Sequence, residues 1–352
     1  MTSKRVHEEA FTMVLIGVDP HKASHTAVAI DGDERPIAQL RVTADRTQLQ
    51  RLLAWAEPLG DDRTWAVESA AGLGRLLAQQ LVAAGETVVD VPATLAARVR
   101  LLGSSKAAKN DPNDALSTAI AGLRHRELRP VVADDHAAVL RLLADRHHDL
   151  VALRTQTACR LHVVLRELVA GGAPLRLKAD RATALLRSVR PTNAVDTERK
   201  RLAHELLADV RRLDRDIAAV KTRIAEAVAM AETTLLEIYG VGPIVAAIIL
   251  GQVGDPRRFP TRDRFAAYNG SAPIEASSGP RARHRLNPRG NRQLNHALHL
   301  IAVTQVSHDT AGRAYYDRKL AEGKTTKEAL RALKRRISDA VWRQLHTDVH
   351  QR

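Results

Sequence analysis

Apolar and polar positions divide the chain into three stretches with different periods. In the first, short apolar runs alternate with helically spaced ones, punctuated by Gly, Pro and Asp. Val14 to Asp19 reads as a buried strand. His25 to Ile30 is a second, followed by the turn Asp31-Gly32-Asp33, and Pro36 to Val42 is a third. Leu49 to Ala56 fits a helix. Trp65 to Glu68 is a short strand, and Gly72 to Ala84 a helix ended by Gly85. Thr87 to Val91 is a strand closed by Pro92, and Thr94 to Leu102 a helix. After a polar loop, Gly103 to Asn110, a helix runs from Pro112 to Leu123. These assignments follow from period-2 and period-3.6 spacing and from the turn residues between runs.

Three hairpin-linked strands followed by two crossover strands is the order of the α/β ribonuclease H-like fold, which is therefore expected for residues 11–130. The middle, 131–234, is expected to be helical. From His136 to Val169 and from Thr197 to Glu232 the sequence is charged and helically spaced. Leu206, Val210, Leu213, Ile217, Val220, Ile224, Ala227 and Ala231 are spaced alternately four and three residues apart, the 3.5-residue repeat of a coiled-coil seam. Ala170-Gly171-Gly172-Ala173-Pro174 breaks the two helices. Such a seam packs on the neighbouring helix or on another subunit, and points to a homo-oligomer.

The last third, 235–352, reads as mainly α. Ile238-Tyr239-Gly240-Val241-Gly242-Pro243 leads into the apolar run Ile244 to Leu250. This is a helix-hairpin-helix turn. Gly240 and Gly242 let the backbone turn tightly and present N–H groups at a helix start, where a phosphate can bind. A glycine-linked helical hairpin without a ligand has the same pattern. An irregular basic stretch, 277–292, precedes a helix from Gln293 to Val306.

Charge sharpens this picture. The net charge is +14, with 43 Arg against 11 Lys. Residues 256–352 hold 20 Lys and Arg against 8 Asp and Glu, so nearly all the excess lies there. A genome rich in G and C raises Arg over Lys, but it does not cluster the charge. The asymmetry points to nucleic acid, with Arg281, Arg283, Arg285, Arg289, Asn291 and Arg292 as candidate contacts. Cys159 is the only cysteine, which excludes an internal disulfide and a multi-cysteine zinc site. No secretory signal is visible, and the longest apolar run is far short of the roughly 20 residues a bilayer needs. The expectation is a soluble cytoplasmic protein with no membrane partner. The 15 histidines show no ligand pattern and read as surface or phosphate-contacting groups.

Four carboxylates stand where this fold would gather them. Asp19 ends the first strand, and Glu68 ends the fourth. Asp111 and Asp114 begin a helix three residues apart and share a face. Converging carboxylates repel unless a cation neutralises them. Hard oxygen donors suit Mg²⁺ or Mn²⁺, and a two-ion site serves phosphoryl transfer. Singly, each has a plainer role. Asp111-Pro112-Asn113-Asp114 is also a good helix start, with Asp as N-cap and Pro at the first helical position.

Several blocks together resemble transposases of the insertion sequence 110 family, relatives of the Piv/MooV invertases. They are GVDPHK (17–22), the segment 67–92 from Val67 to Pro92, and KNDPNDA (109–115). Further on come IYGVGPIVAAIIL (238–250), GDPRRFPTRDRFAAYNGSAP (254–273), SSG (277–279) and NPRGNRQL (287–294). Ala70-Ala71 departs from the family's usual Thr-Gly. The resemblance implies a RuvC-like acidic domain of Asp19, Glu68, Asp111 and Asp114, a coiled coil and a C-terminal domain bearing a serine nucleophile. Ser278 matches that serine, with Ser277 in reserve. It further implies donor and target double-stranded DNA, a structured guide RNA, a dimeric or tetrameric assembly and a bacterial cytoplasm, on the nucleoid when bound. Only three Phe and four Tyr argue against recognition mainly by stacking on aromatics. Two alternatives remain: a Holliday-junction-type endonuclease using the acids alone, and a non-catalytic nucleic-acid-binding protein.

Overall fold

A computed structural model describes residues 13–103, 110–125, 127–174, 177–275, 284–285, 287 and 290–351. The chain forms two compact units, 1–134 and 135–352.

Unit 1 is built on a six-stranded sheet with the order β3-β2-β1-β4-β5-β6. Its strands are β1 (Val14–Pro20), β2 (Ser24–Ile30), β3 (Pro36–Thr43), β4 (Arg63–Glu68), β5 (Thr87–Val91) and the two-residue β6 (Arg129–Pro130). β1, β4 and β5 are parallel, and β2 is antiparallel to both its neighbours. This is the ribonuclease H-like order. The helices are α1 (Gln48–Ala56), α2 (Arg75–Ala83), α3 (Ala93–Gly103) and α4 (Asp111–Arg124).

The pleat sorts side chains onto two faces. Ile16, Val18, Ala27, Ala29, Trp65 and Val67 pack against α1 and α2. Leu15, Val28, Ile30 and Ala66 pack with Ala115 and Ala119 of α4. α4 crosses β1 with almost no gap. A Cβ added at Gly17 would lie 2.1 Å from the Ala115 carbonyl and 2.4 Å from the Ala119 nitrogen. The small residues Ala115, Ala119 and Gly122 on α4 make this approach possible. That closeness sets where the start of α4 lies over the end of β1.

Unit 2 is helical. α5 (His136–Leu168) and α7 (Ala194–Met230) run antiparallel, with α6 (Ala179–Ser188) between them in sequence. Cross-links fix the direction. His136 Nε2 meets the Ala227 carbonyl at 2.7 Å, Arg154 meets Asp214 at 2.9 Å, and Arg199 meets Glu167 at 2.9 Å. The expected seam therefore packs within its own chain. Leu213, Val220, Ile224 and Ala227 share a core with Leu140, Leu143 and Leu150 of α5. Farther along, Val210 and Leu207 pack with Leu161, Val164 and Leu165. One seam position is corrected: Leu207 is buried where Leu206 was expected, and Leu206 and Ile217 are only half-buried. Antiparallel packing on a 33-residue partner follows the helix's own 3.6-residue period, which drifts from a strict heptad.

The remaining helices are α8 (Pro243–Val253), α9 (Arg262–Tyr268), α10 (Arg292–Val306), α11 (Ala311–Ala321) and α12 (Thr326–His350). α8, α10 and α12 extend the same core through Ile249, Val253, Leu298, Ile301, Ile337 and Val341. Thr325 and Glu328 form a reciprocal capping box that starts α12. Among the described residues, no helix is long and apolar enough to cross a membrane.

Candidate active site

The four carboxylates meet at one end of the unit 1 sheet. Val18 lies opposite Val67 in the parallel β1–β4 pair, so Asp19 and Glu68 follow side by side. Both lie on the α4 face of the sheet. Asp19 and Asp114 are only 8% and 9% exposed. After Glu68 the chain turns through Ser69, a non-glycine residue at φ 50°, a strained conformation held by the turn 69–74.

The start of α4 differs from expectation in its cap. Asn110, not Asp111, is the N-cap: its side chain accepts the Asn113 N–H at 2.9 Å. Asp111 is thereby left out of the cap. Its carboxylate faces Arg41 at 3.5 Å and His21 Nε2 at 4.0 Å. The other ring nitrogen of His21 lies 3.5 Å from Asp19. Ligand atoms of Asp19, His21 and Asp111 all fall within 4.8 Å of one another. Asp114 pairs with Arg100.

Glu68 reports the crowding. Burial first, then the charges of Asp19 and Asp114, push its carboxyl above the ordinary range. The Thr118 hydroxyl, 3.5 Å away, and Arg100 act the other way. Asp19 and Asp114, close enough to raise the cost of ionising Glu68, form with it a donor set whose crowding a divalent cation would relieve. All four offer hard oxygens, so the set fits Mg²⁺ or Mn²⁺ rather than a soft metal.

Sequence reasoning did not single out His21, Arg41 or Arg100. Arg41 was findable. Asp19, Thr26 and Arg41 lie in one line across β1, β2 and β3, so the hairpin register alone puts Arg41 on the acid face. His21 is exposed, as expected of a surface group, but it stands two residues beyond Asp19 in the hairpin, with its ring nitrogens facing Asp19 and Asp111. Arg100 reaches Asp114 through the packing of α3 on α4, and no sequence period shows it.

In unit 2, Gly240 has φ 92° and sits with its Cα face against Ile301, where a Cβ would lie 3.2 Å from that carbonyl. Only glycine meets both conditions. Gly242 is the exposed N-cap of α8, with Pro243 next. Ser277, Ser278, Arg281, Arg283 and Arg289 lie outside the described residues. Arg285 falls in a two-residue strand (His284–Arg285) whose backbone pairs with Ile274–Glu275. Arg292 is the first residue of α10.

Asn291 fastens one end of this region. Its N–H donates to the Tyr268 carbonyl at 2.7 Å. Its amide donates to Gln252 and to the Tyr268 hydroxyl, and its Oδ1 caps α10. A relay that runs from half-buried to buried groups lies beside it: Lys334 donates to Asn295 at 2.7 Å, Asn295 to the Asn269 carbonyl, and Asn269 to Ser338. Burial, and then Arg292, hold the Lys334 ammonium below its usual range. This relay was not singled out from the sequence; its members are spread over 70 positions.

Two transposase family models match the chain. The DEDD transposase model of IS110 covers residues 16–170, and the model for transposases of the IS116/IS110/IS902 family covers 232–317. The insertion element IS900 uncharacterized 42 kDa protein of Mycobacterium paratuberculosis is 30% identical over 94% of this chain and 95% of its own length. The IS116 uncharacterized 44.8 kDa protein of Streptomyces clavuligerus is 29% identical over 94% of each. The mini-circle putative transposase for IS117 of Streptomyces coelicolor is 28% identical over 97% of this chain and 96% of its own length. Among solved structures, T. thermophilus RuvC in complex with a Holliday junction substrate aligns with 34% of the chain at 17% identity and a TM-score of 0.28.

Proposed function

Because this chain belongs to the IS110 family of transposases, we propose that it exchanges DNA strands through the acid cluster of unit 1 and a serine of unit 2. The observation that carries this reading is that Asp19, Glu68, Asp111 and Asp114 stand at one end of the sheet, with Asp19 and Asp111 joined through His21 and Glu68 raised by burial and then by the charges of Asp19 and Asp114. In the proposed division of labour, 11–130 carries the acids, 131–234 is the helical connection, and 235–352 carries the serine.

The four carboxylates would hold Mg²⁺ or Mn²⁺, which when bound withdraws charge from the scissile phosphate and stabilises the departing oxygen. The chain's own nucleophile is the Ser278 hydroxyl, with Ser277 in reserve. Its Oγ forms a bond to phosphorus, and the bond from phosphorus to the deoxyribose oxygen breaks. The serine proton passes through solvent to the departing oxygen, which leaves as a hydroxyl. The phosphoserine conserves the bond, and a hydroxyl from another strand reverses the step and seals the new junction.

Arg281, Arg283, Arg285, Arg289 and Arg292, with the Gly240–Gly242 turn, would bind phosphates of donor and target DNA. A structured guide RNA supplies sequence choice in this reading. The cationic excess of 256–352 and the scarcity of aromatics support it. The seam of α7 is already covered by α5, so a dimer or tetramer would form through other surfaces.

The test is recombination in vitro of labelled donor and target DNA, with the purified protein, Mg²⁺ and RNA transcribed from the element. Joined product is expected, and it should disappear with Asp19→Asn. Hydrolysed ends without joining would favour the endonuclease alternative.

A further inference from the structure

On the opposite face of the sheet from α4, unit 1 holds a pocket of about 540 Å³. Three features bear on what it takes. The first is its place. His21, whose ring lies between Asp19 and Asp111, also lines this pocket. The pocket and the acid cluster therefore share the β1–β2 hairpin as a wall.

The second is its polar floor. His25 is 5% exposed, and its Nε2 lies 3.0 Å from Gln48 Oε1. The Gln48 amide nitrogen in turn donates to Gln80 Oε1 at 2.7 Å. That direction makes Nε2 the protonated nitrogen and leaves Nδ1 a buried acceptor, for which no donor is found among the described residues. Burial holds this imidazole below its usual range, so it stays neutral. With Gln80 Oε1 occupied, the Gln80 NH₂ group is left to donate. The floor thus combines one donor with a buried acceptor that has no partner among the described residues.

The third is its rim. Leu73 and Leu76 line it with 55% and 66% of their surface exposed. Lys22 and Arg46 also line it, both exposed. Asp45, also at the rim, is engaged by Thr47 and Arg51.

We propose that this pocket receives one unstacked nucleotide of the DNA strand next to the cut. Leu73 and Leu76 would act as the apolar wedge that frees the base, as aliphatic side chains do when they enter a base step. The freed base fills the pocket against the amide and imidazole floor, and its phosphate meets Lys22 and Arg46. Pockets of a few hundred Å³ with few polar groups suit a ligand of nucleotide size. A paired base cannot offer its edge to such a floor, so the pocket selects unpaired nucleotides. The proposal uses the strand-cutting reading only to say which nucleotide is held.

The test needs neither metal nor cleavage, so it stands apart from that reading. The full chain, in excess chelator, is titrated with 2-aminopurine deoxyribonucleoside monophosphate, followed by its fluorescence. Saturable quenching at or below millimolar concentration is expected. Unlabelled dAMP should compete, and inorganic phosphate should compete at least about tenfold less well. Leu76→Glu, at an exposed position, should weaken binding about tenfold, and so should His25→Phe, which keeps the ring volume but removes the acceptor. Duplex DNA affinity should stay within twofold in Leu76→Glu. No binding, equal competition by phosphate, or unchanged affinity in both variants would overturn the proposal. Tenfold tighter binding of the ribonucleotide would overturn it too, by assigning the pocket to RNA.

Discussion

The acid end of unit 1 and the helical seam of unit 2 are gathered by different physics. At the acid end, like charges are held together against their own repulsion, so each must be placed by something else. β1–β4 register places Asp19 and Glu68, and the close crossing of α4 at Gly17 places Asp111 and Asp114. Along the seam, apolar residues are gathered because water expels them, and any apolar surface of the right shape satisfies them. A strand register states which residues meet. A hydrophobic stripe states only that something covers it. That is why Asp19 and Glu68 could be paired from sequence, while α5 could not be chosen over a second subunit as the partner of α7.

The comparison breaks most sharply at the acids. Asp19→Asn or Asp114→Asn should lower the rate of strand cleavage by at least about a hundredfold, since in the proposed function each would help hold the cation that stabilises the reacting phosphate. Nucleic-acid binding should be retained, because the cationic surface lies in 256–352. Labelled-DNA cleavage and filter binding on the same preparations check both halves.

The seam should respond in stability instead. Ile224→Glu buries a charge in the α5–α7–α8 core and should cost about 3–5 kcal/mol, unfolding unit 2 rather than dissociating an assembly. Paired alanine variants sharpen this. Leu207→Ala should cost about 2–4 kcal/mol and Leu206→Ala less than about 1, because only Leu207 is fully packed. Urea unfolding followed by helical circular dichroism measures the difference. Equal costs would restore the strict heptad.

Much of unit 1 was legible because strand punctuation is local. Thr87–Val91 matches its expected bounds, and β1 to β4 differ by one or two residues. The two-residue β6 and the unpatterned α6 were not legible, and neither were α11 and α12. The last two follow an apolar spacing too mixed with charge to read alone. At the site, the carboxylates were legible because strand ends and a helix start carry them. Of their counter-ions only Arg41 was findable, from hairpin register. Arg100 is chosen by the packing of α3 on α4, and Asn110 replaced Asp111 as cap because an uncharged amide serves there while the carboxylate meets Arg41.

Cationic contacts come next in size. Replacing Arg281, Arg283 and Arg289 with Ala should flatten the slope of log affinity against log salt by about 2.7. Binding titrations at four salt concentrations read it directly. An unaltered slope would place the phosphate contacts elsewhere in the chain.

The smallest effect has an unusual sign. The Glu68 carboxyl is raised in the folded state, so the folded protein holds that proton to a higher pH than the unfolded chain. Its ionisation therefore costs stability as pH rises through the folded value. In chelator, Glu68→Gln should raise the melting temperature by a few degrees at neutral pH and leave it unchanged at acid pH, where wild-type Glu68 is already neutral. Activity should be lost in the same variant. Thermal melts across that pH range check the sign.

The most direct test is whether protein becomes joined to DNA. Donor DNA labelled on one strand is incubated with protein, Mg²⁺ and the element's RNA, then run on a denaturing gel with and without protease. Wild type should give a protease-sensitive band of retarded DNA. Ser278→Ala should give neither that band nor recombinant product, while binding DNA normally. Free cleaved ends from wild type, with no retarded band at any time, would contradict the serine and leave the acids acting alone with water.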